Sequence, residues 1–183
     1  SLGHKVLVVT SKFRHFSKKH RNSSYYFENG VKYYFINETG YKGNRSFKRF
    51  LSHFIFSINT FIFLLKLRIF QKYSFDAIIN TLPLVFLSFL VGIYTKLFSF
   101  KLFIDLQDKW PDIFIIYTRN LPFPFNKFLK QLILYTSIIM RRNLCKLSDG
   151  TISISEEYFK WYFSNVPIYL YRHHILREKL YLG

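Results

Sequence analysis

The residues best suited to chemistry lie in one short stretch, where polar side chains directly follow an apolar run at residues 102–104. Such a run is typical of a strand covered on both faces of a parallel sheet. Pro111 cannot donate a hydrogen bond to a sheet, so the strand must end before it. The polar side chains that follow the run are Asp105, Gln107, Asp108, Trp110 and Asp112.

In an open α/β sheet, ligands bind in the crevice beyond the carboxyl ends of the strands. Acidic, amide and indole groups delivered to that edge therefore predict a ligand site. For Trp110 alone, a ring in the core is the simpler interpretation, and the acids can also be turn formers or helix caps. The cluster as a whole favours a site.

Motifs for metal-dependent or nucleophilic catalysis are absent from the sequence. The six histidines include one adjacent pair, His173 and His174, without a Cys or carboxylate at ligand spacing. There is no Gly-x-Ser-x-Gly elbow, no Walker loop and no Gly-x-Gly-x-x-Gly segment after a strand. We therefore expect no metal and no cofactor, and the sequence argues against a self-contained hydrolase, kinase or dehydrogenase.

Strands and helices are predicted to alternate along the chain, with a loop over residues 11–29. This order predicts an α/β fold with a three-layer, doubly wound parallel sheet of the Rossmann-like type. The predicted strands cover residues 5–10, 31–36, 77–80, a segment opening at 101, and 151–154. The predicted helices cover residues 46–72, 82–98, 126–147 and a segment opening at 155.

Helical periodicity predicts which face of each long helix packs on the sheet. In the first helix the apolar stripe includes Phe47, Phe50 and Phe54, whereas Phe56 and Phe63 fall among cations such as Lys66. We expect Phe56, Phe63 and Lys66 to contact a membrane, although contact with a neighbouring domain would explain the two phenylalanines equally well. In the helix over residues 126–147, the predicted core stripe is Phe128, Leu132, Tyr135 and Ile139.

The charge is strongly positive, with 27 Lys and Arg against 10 Asp and Glu, a formal net charge of +17 and 21% aromatic residues. This balance implies a polyanion or an anionic surface as partner. Cations interleaved with aromatic and aliphatic residues favour a membrane surface over nucleic acid, although a general compositional bias would also produce them. The basic run at residues 18–21 is either a solvated loop or an anion-binding loop.

Membrane-spanning helices and disulfides are not predicted. The longest apolar stretches, residues 54–65 and 82–95, fall short of the ~20 residues that a spanning helix requires. The single Cys145 excludes an intrachain disulfide framework and suits a reducing compartment.

Several segments, taken in order, carry a resemblance to a known family. They cover residues 2–11, 29–31, 41–44, 76–83, 107–112 and 149–156. Together they resemble the amino-terminal domain of retaining GT-B glycosyltransferases of family 4. The most specific segment is Gln107-Asp108-Lys109-Trp110-Pro111-Asp112. It is similar to the Gln/Arg-Asp-Leu-Trp-Pro-Glu/Asp signature of the branch that acts on lipid-linked sugars in surface-polysaccharide synthesis.

The resemblance implies transfer of a sugar from a nucleotide-sugar co-substrate to a lipid-linked or saccharide acceptor, with retention of configuration and without a metal or other cofactor. It also implies a cytoplasmic protein, peripheral on the inner face of the cell membrane. None of its residues is assigned as the catalytic base. The implied acceptor-binding residues are Gln107, Asp108, Trp110, Thr81, Tyr41, Asn44 and Arg49.

The resemblance covers roughly residues 2–163. It predicts an incomplete acceptor-side domain over residues 1–163 that lacks its first strand and helix, and an atypical tail over residues 164–183. The donor-binding domain would be supplied in cis or in trans, and the chain alone would have little activity because catalysis needs both halves. The alternative is a non-catalytic, basic, aromatic-rich protein that binds an anionic membrane surface; nucleic acid is the least favoured partner.

Overall fold

The computed structural model describes the chain over residues 3–43, 47–82, 84–109 and 122–164. The fold is mixed α/β, and the chain divides into two compact units. Unit 1 spans Ser1–Tyr73 and unit 2 spans Ser74–Gly183.

Unit 1 contains a small mixed sheet, a two-stranded ribbon and one long helix. The elements are β1 Val6–Ser11, β2 Phe13–Arg14, β3 Lys19–His20, β4 Tyr25–Glu28, β5 Val31–Ile36 and α1 Phe47–Phe70. The sheet has the order β1-β5-β4, in which β1 and β5 are parallel and β4 runs antiparallel to β5. The short strands β2 and β3 pair with each other.

The predicted loop over residues 11–29 is wrong, because it contains β2, β3 and β4. The two residues between β4 and β5, Asn29 and Gly30, both have positive φ, at 49° and 81°. Such a turn joins antiparallel strands into a hairpin. Cross-strand ring pairs, including Tyr25 with Tyr34 at 5.3 Å, line this hairpin. Unit 1 is therefore not built from parallel strands alone.

Helix α1 buries a different face from the one that periodicity predicts. Phe50 and Phe54 are exposed, whereas Ser52 is fully buried. The polar residues face inward because they bind the backbone that follows β5. Ser52 Oγ accepts from Gly40 N at 2.8 Å, and Asn59 Nδ2 donates to Asn37 O at 2.9 Å.

The three residues predicted to contact a membrane therefore differ in their surroundings. Phe56 is only 4% exposed, so the prediction that it lies on the surface among cations is wrong. Phe63 is half-buried, and its ring centroid lies 4.8 Å from that of Tyr34 on β5. Lys66 is exposed.

Unit 2 contains a parallel sheet flanked by helices, which confirms the predicted α/β class. The elements are β6 Ala77–Leu82, α2 Val85–Phe98, β7 Lys101–Leu106, α3 Phe125–Leu147, β8 Gly150–Ser153 and α4 Glu156–Phe163. The sheet order β6-β7-β8 makes the strand that opens at Lys101 central. Along β7 the side chains of Leu102, Ile104 and Leu106 are fully buried. Helix α2 packs on β6, β7 and α3, while α4 contacts β8.

The predicted core stripe of α3 is wrong, because Phe128, Leu132, Tyr135 and Ile139 are 40–67% exposed. The opposite face is buried, including Arg141 at 3% exposure. This arginine can be buried because its guanidinium donates to Trp161 O and, at 2.9 Å, to Ser164 Oγ. It also lies 4.8 Å from the Trp161 ring centroid. Specific partners on and after α4 thus override the apolar pattern.

Candidate functional site

A sheet-edge cluster of Thr81, Asp105 and Gln107 forms at the carboxyl ends of β6 and β7. Thr81 and Asp105 are direct partners in the register of the two parallel strands. Thr81 Oγ1 donates to Asp105 Oδ2 at 3.3 Å, and Gln107 Nε2 donates to the same oxygen at 2.8 Å. The structure therefore brings together two of the predicted acceptor-binding residues through a carboxylate.

The sheet-edge cluster has the groups needed to hydrogen-bond a polyhydroxyl ligand. A carboxylate accepts through both oxygens, whereas a hydroxyl and a carboxamide can donate and accept. Thr81 and Gln107 are exposed, and Asp105 is half-buried. Within the described residues, both bonds to the carboxylate use Oδ2, which leaves Oδ1 for a ligand hydroxyl.

An ion pair anchors the segment that follows the sheet-edge cluster. Lys109 Nζ donates to Glu157 Oε1 in the first turn of α4 and lies 5.1 Å from the ring centroid of Tyr158. The hydrogen bond from Lys109 and its positive charge lower the pKa of Glu157. The segment after β7 is therefore tied to the start of α4.

Other predicted residues in this region are less informative. Asp108 is exposed. Trp110, and in unit 1 Asn44, lie outside the described residues, so their proposed roles stay predictions. Asp105 was recognised in the polar stretch but not predicted as a binding residue. Its importance follows from strand register, which pairs it with Thr81 and which sequence spacing does not reveal.

A second cluster, the Tyr41 cluster, forms in unit 1 from His15, Lys18, Tyr41, Arg49 and His53. Tyr41 is 7% exposed, and its hydroxyl oxygen lies 2.7 Å from His15 Nδ1. Lys18 Nζ lies 4.7 Å from the Tyr41 ring centroid, and Arg49 Cζ lies 5.8 Å from it. The His53 ring packs edge-on against the same ring at 5.8 Å.

The electrostatics of the Tyr41 cluster are dominated by burial and positive charge. Burial, followed by the charges of Arg49 and His15, lowers the pKa of His53 to about 4. Burial, Lys18 and Arg49 likewise lower the pKa of His15. Burial raises the pKa of Tyr41, although Arg49 opposes the rise. At neutral pH His53 is therefore neutral, and the positive charge of the cluster resides on Lys18 and Arg49.

The structure thus brings together Tyr41 and Arg49, both predicted as acceptor-binding residues, while their binding role stays a prediction. Sequence reasoning missed His15 and His53. The basic run at residues 18–21 did point to the loop that carries Lys18. Nothing in the sequence singled out His53, because it lies in the first half of a long apolar helix.

No protein-family model matches the chain, and a search of curated proteins found no significant match. The glycosyltransferase resemblance therefore rests on the sequence motifs alone.

Two further properties bear on the site. Among the described residues, no three His, Cys, Asp or Glu side chains group as they would around a metal ion.

Within the same residues, Lys48–Phe70 of α1 is long and apolar enough to cross a membrane by length and composition. One third of its most apolar stretch, 33%, is buried. A core helix of a soluble protein passes the same test.

Proposed function

We propose that this chain is the acceptor-side part of a retaining GT-B glycosyltransferase of family 4, with a three-layer Rossmann-like architecture. It would hold a lipid-linked or saccharide acceptor in surface-polysaccharide synthesis, while a donor-binding domain in cis or in trans holds the nucleotide sugar. The protein would act at the cytoplasmic face of the cell membrane.

The sheet-edge cluster is the observation that carries this proposal. Thr81, Asp105 and Gln107 lie together at the carboxyl ends of parallel strands, which is where open α/β sheets bind ligands. The tryptophan-containing motif, residues 107–112, begins at Gln107 within this cluster. Asp105 and Gln107 would bind acceptor hydroxyls and hold them in position for transfer.

Positioning is the contribution that such a half-enzyme makes to catalysis. Holding the acceptor hydroxyl in the reacting geometry replaces a bimolecular encounter with an effectively unimolecular step. The reaction still needs the donor-binding domain. The property to test in this chain is therefore acceptor recognition rather than turnover.

The test compares two lipids in detergent micelles, a polyprenyl diphosphate that carries a disaccharide and the same lipid without sugar. We expect the chain to bind the sugar-bearing lipid more tightly. Asp105→Asn should remove most of this preference, by about tenfold or ~1.4 kcal/mol. The matched control is Asp76→Asn, an exposed carboxylate just before the amino end of β6. Equal binding of the two lipids by the wild-type chain would contradict the proposal.

A second candidate function, a non-catalytic protein that binds an anionic membrane, is favoured by α3. Its exposed apolar residues recur at helical spacing and form a continuous stripe, which we call the α3 stripe. The α3 stripe consists of Phe125, Phe128, Leu129, Leu132, Tyr135 and Ile139. Arg142 and Lys146 continue on the same side one and two turns later, and α3 contains no acidic residue. Apolar and cationic groups combined on one helix suit the interface of an anionic bilayer.

Liposome flotation across a salt series tests this candidate. Phe128→Gln combined with Leu132→Gln should reduce binding to vesicles of phosphatidylglycerol and phosphatidylcholine about tenfold or more. The control is Phe50→Gln, an exposed phenylalanine on α1. Undiminished binding by the α3 variant, or equal loss in the control, would count against the α3 stripe as the membrane-binding surface.

A further inference from the structure

A pocket of about 540 Å³ opens beside the Tyr41 cluster in unit 1. This volume falls within the ~300–1,000 Å³ typical of small-molecule sites. Three lysines and a histidine contribute to its wall, and two aromatic rings supply apolar surface. The lining residues are Phe13, Lys18, His20, Thr39, Gly40, Tyr41, Lys42, Gly43 and Lys48.

Several elements bring the cations to this pocket. Lys18 comes from the turn between β2 and β3, Lys42 from the loop after β5, and Lys48 from the first turn of α1. None of the described residues that line the pocket is acidic. Three ammonium groups held around one concavity repel one another, and a bound anion would relieve that repulsion.

Glu38 is the carboxylate nearest in sequence to the loop that carries Lys42, and both of its oxygens accept hydrogen bonds from other residues. Its Oε1 accepts from Ser11 Oγ, and its Oε2 accepts from Ser52 Oγ. The Ser52 hydroxyl oxygen in turn accepts from Gly40 N at 2.8 Å. Glu38 therefore fixes the loop that carries Lys42 through two hydroxyl groups.

The shape of the pocket wall depends on Gly40. Its φ is +74°, and a Cβ at this position would lie 2.8 Å from Phe13 Cδ2 and 3.3 Å from His20 Nε2. Only glycine adopts this backbone conformation without strain and also permits such a close approach. The loop, Phe13 and His20 are therefore packed into a defined wall.

We infer that this pocket binds a phosphoryl-bearing anion of the diphosphate class. Lysine is a compact point charge with three donors, and it is a common ligand of phosphate. Three lysines suit the several oxygens of a diphosphate, and the rings of Phe13 and Tyr41 suit an apolar or sugar substituent next to it. A concave pocket of about 540 Å³ fits such a group better than a nucleic-acid strand, which needs an extended groove.

The inference does not rest on the transferase proposal, because its residues all lie in unit 1 and can be tested with inorganic pyrophosphate. The pKa of the neighbouring His15 provides a second readout of anion binding. Lys18 and Arg49 contribute to its lowered pKa, so a bound anion that screens them should raise that pKa. Titration of the His15 ring by NMR, with and without pyrophosphate, reports this change.

The decisive experiment is calorimetric titration of the full chain with inorganic pyrophosphate, supported by flotation with vesicles that contain a polyprenyl diphosphate. The pocket variant combines Lys18→Gln, Lys42→Gln and Lys48→Gln. The control combines Lys5→Gln, Lys32→Gln and Lys72→Gln, which removes the same charge from exposed positions of unit 1 that do not line the pocket. Because Lys18 also contacts Tyr41, a second variant changes Lys42 and Lys48 alone.

We expect the pocket variant to bind pyrophosphate at least tenfold more weakly than the wild-type chain. The variant at Lys42 and Lys48 should lose about half as much binding free energy as the pocket variant, and the affinity of the control should change less than threefold. Pocket-dependent binding of pyrophosphate supports a soluble diphosphate, and pocket-dependent binding of vesicles alone supports a lipid diphosphate. Equal losses in the pocket variant and the control would overturn the inference, as would failure of the wild-type chain to bind either probe.

Discussion

The two units differ most in their net charge. Residues 1–73 contain 14 Lys and Arg against two Glu, a net charge of +12, whereas residues 74–183 contain 13 against eight acids, a net charge of +5. The ion pairs found among the described residues all lie in unit 2. They are Lys101 with Asp149, Lys109 with Glu157 and Lys160 with Glu156.

The cores of the units differ as well. The central strand of unit 2, β7, has three fully buried aliphatic side chains, whereas no residue of the unit 1 sheet is fully buried. Unit 1 relies more on ring pairs and on the carboxylate of Glu38. Unit 2 is therefore organised around an apolar sheet and has the smaller net charge, whereas unit 1 has a large excess of cations, three of which line a pocket. Excess charge of this kind is costly for folding and useful for binding an anion.

The largest expected effect tests the difference in cores with two isoleucines, each on the central strand of its sheet. Ile104→Ala on β7 should destabilise the protein by about 2–5 kcal/mol, since it removes a fully buried side chain. Ile36→Ala on β5 should cost less than half as much, because Ile36 is only half-buried. Denaturant unfolding followed by circular dichroism measures both. Equal losses would show that the two sheets are equally well packed.

The next effect concerns the carboxylate that orders the pocket loop. Glu38→Gln leaves one carbonyl oxygen to accept from either Ser11 or Ser52, because the amide nitrogen that replaces the other oxygen cannot accept a hydrogen bond. Loss of the charge-assisted bonds should cost about 1.5–3 kcal/mol. Glu28→Gln is the matched control, because Glu28 is the other carboxylate of unit 1 and is exposed on β4. If the two variants lose equal stability, the general charge balance matters and the Glu38 contacts do not.

The third effect is a pH dependence of the stability, in which the two units should differ. The folded pKa of His53, about 4, lies below the unfolded value of ~6.5, so the unfolded chain takes up this proton first as the pH falls. The stabilisation is complete above about pH 6.5 and is lost progressively between about pH 6.5 and 4. His53→Gln should flatten the stability profile in this window, whereas His4→Gln at an exposed position should leave it unchanged. Thermal unfolding at half-unit pH steps measures the profile.

The smallest effect belongs to unit 2 and appears at lower pH. Burial alone would raise the pKa of Asp149, but hydrogen bonds from Leu102 N at 2.9 Å and Lys101 Nζ at 3.1 Å, with the Lys101 charge, outweigh it. The pKa is lowered, so the stabilisation is complete above about pH 4 and is lost as the pH falls below it. Asp149→Asn should flatten the profile only there. A change between pH 6.5 and 4 would remove the predicted contrast between the units.

The sequence predicted the parallel strands of unit 2 well. Aliphatic runs bounded by turn residues identified β6, β7 and β8, and Ser155 was recognised at the start of α4, where its Oγ accepts from Tyr158 N at 3.3 Å. Thr81 and Gln107 were placed at the correct edge of the sheet because parallel strands end together. These features follow from local patterns.

The failures arose where a polar side chain has a distant backbone partner. Periodicity predicted that Phe50 of α1 and Phe128 of α3 lie in the core, but both are exposed. Contacts with Gly40 N and Trp161 O bury Ser52 and Arg141 instead. The aromatic residues opposite them became exposed as a consequence. Such partners are set by tertiary structure, so hydrophobic spacing could not reveal them. Strand β4 was missed because its exposed residues lack the alternation that marks a half-buried strand.

Hydrogen–deuterium exchange on nanodiscs tests the acceptor-binding account most directly. One set of discs would contain anionic lipid alone, and the other would also contain a polyprenyl diphosphate that carries a disaccharide. We predict that both sets protect amides of α3, and that only the second adds protection at residues 105–109, around the sheet-edge cluster. Identical protection by the two sets would contradict acceptor binding and leave membrane binding as the function that the chain supports.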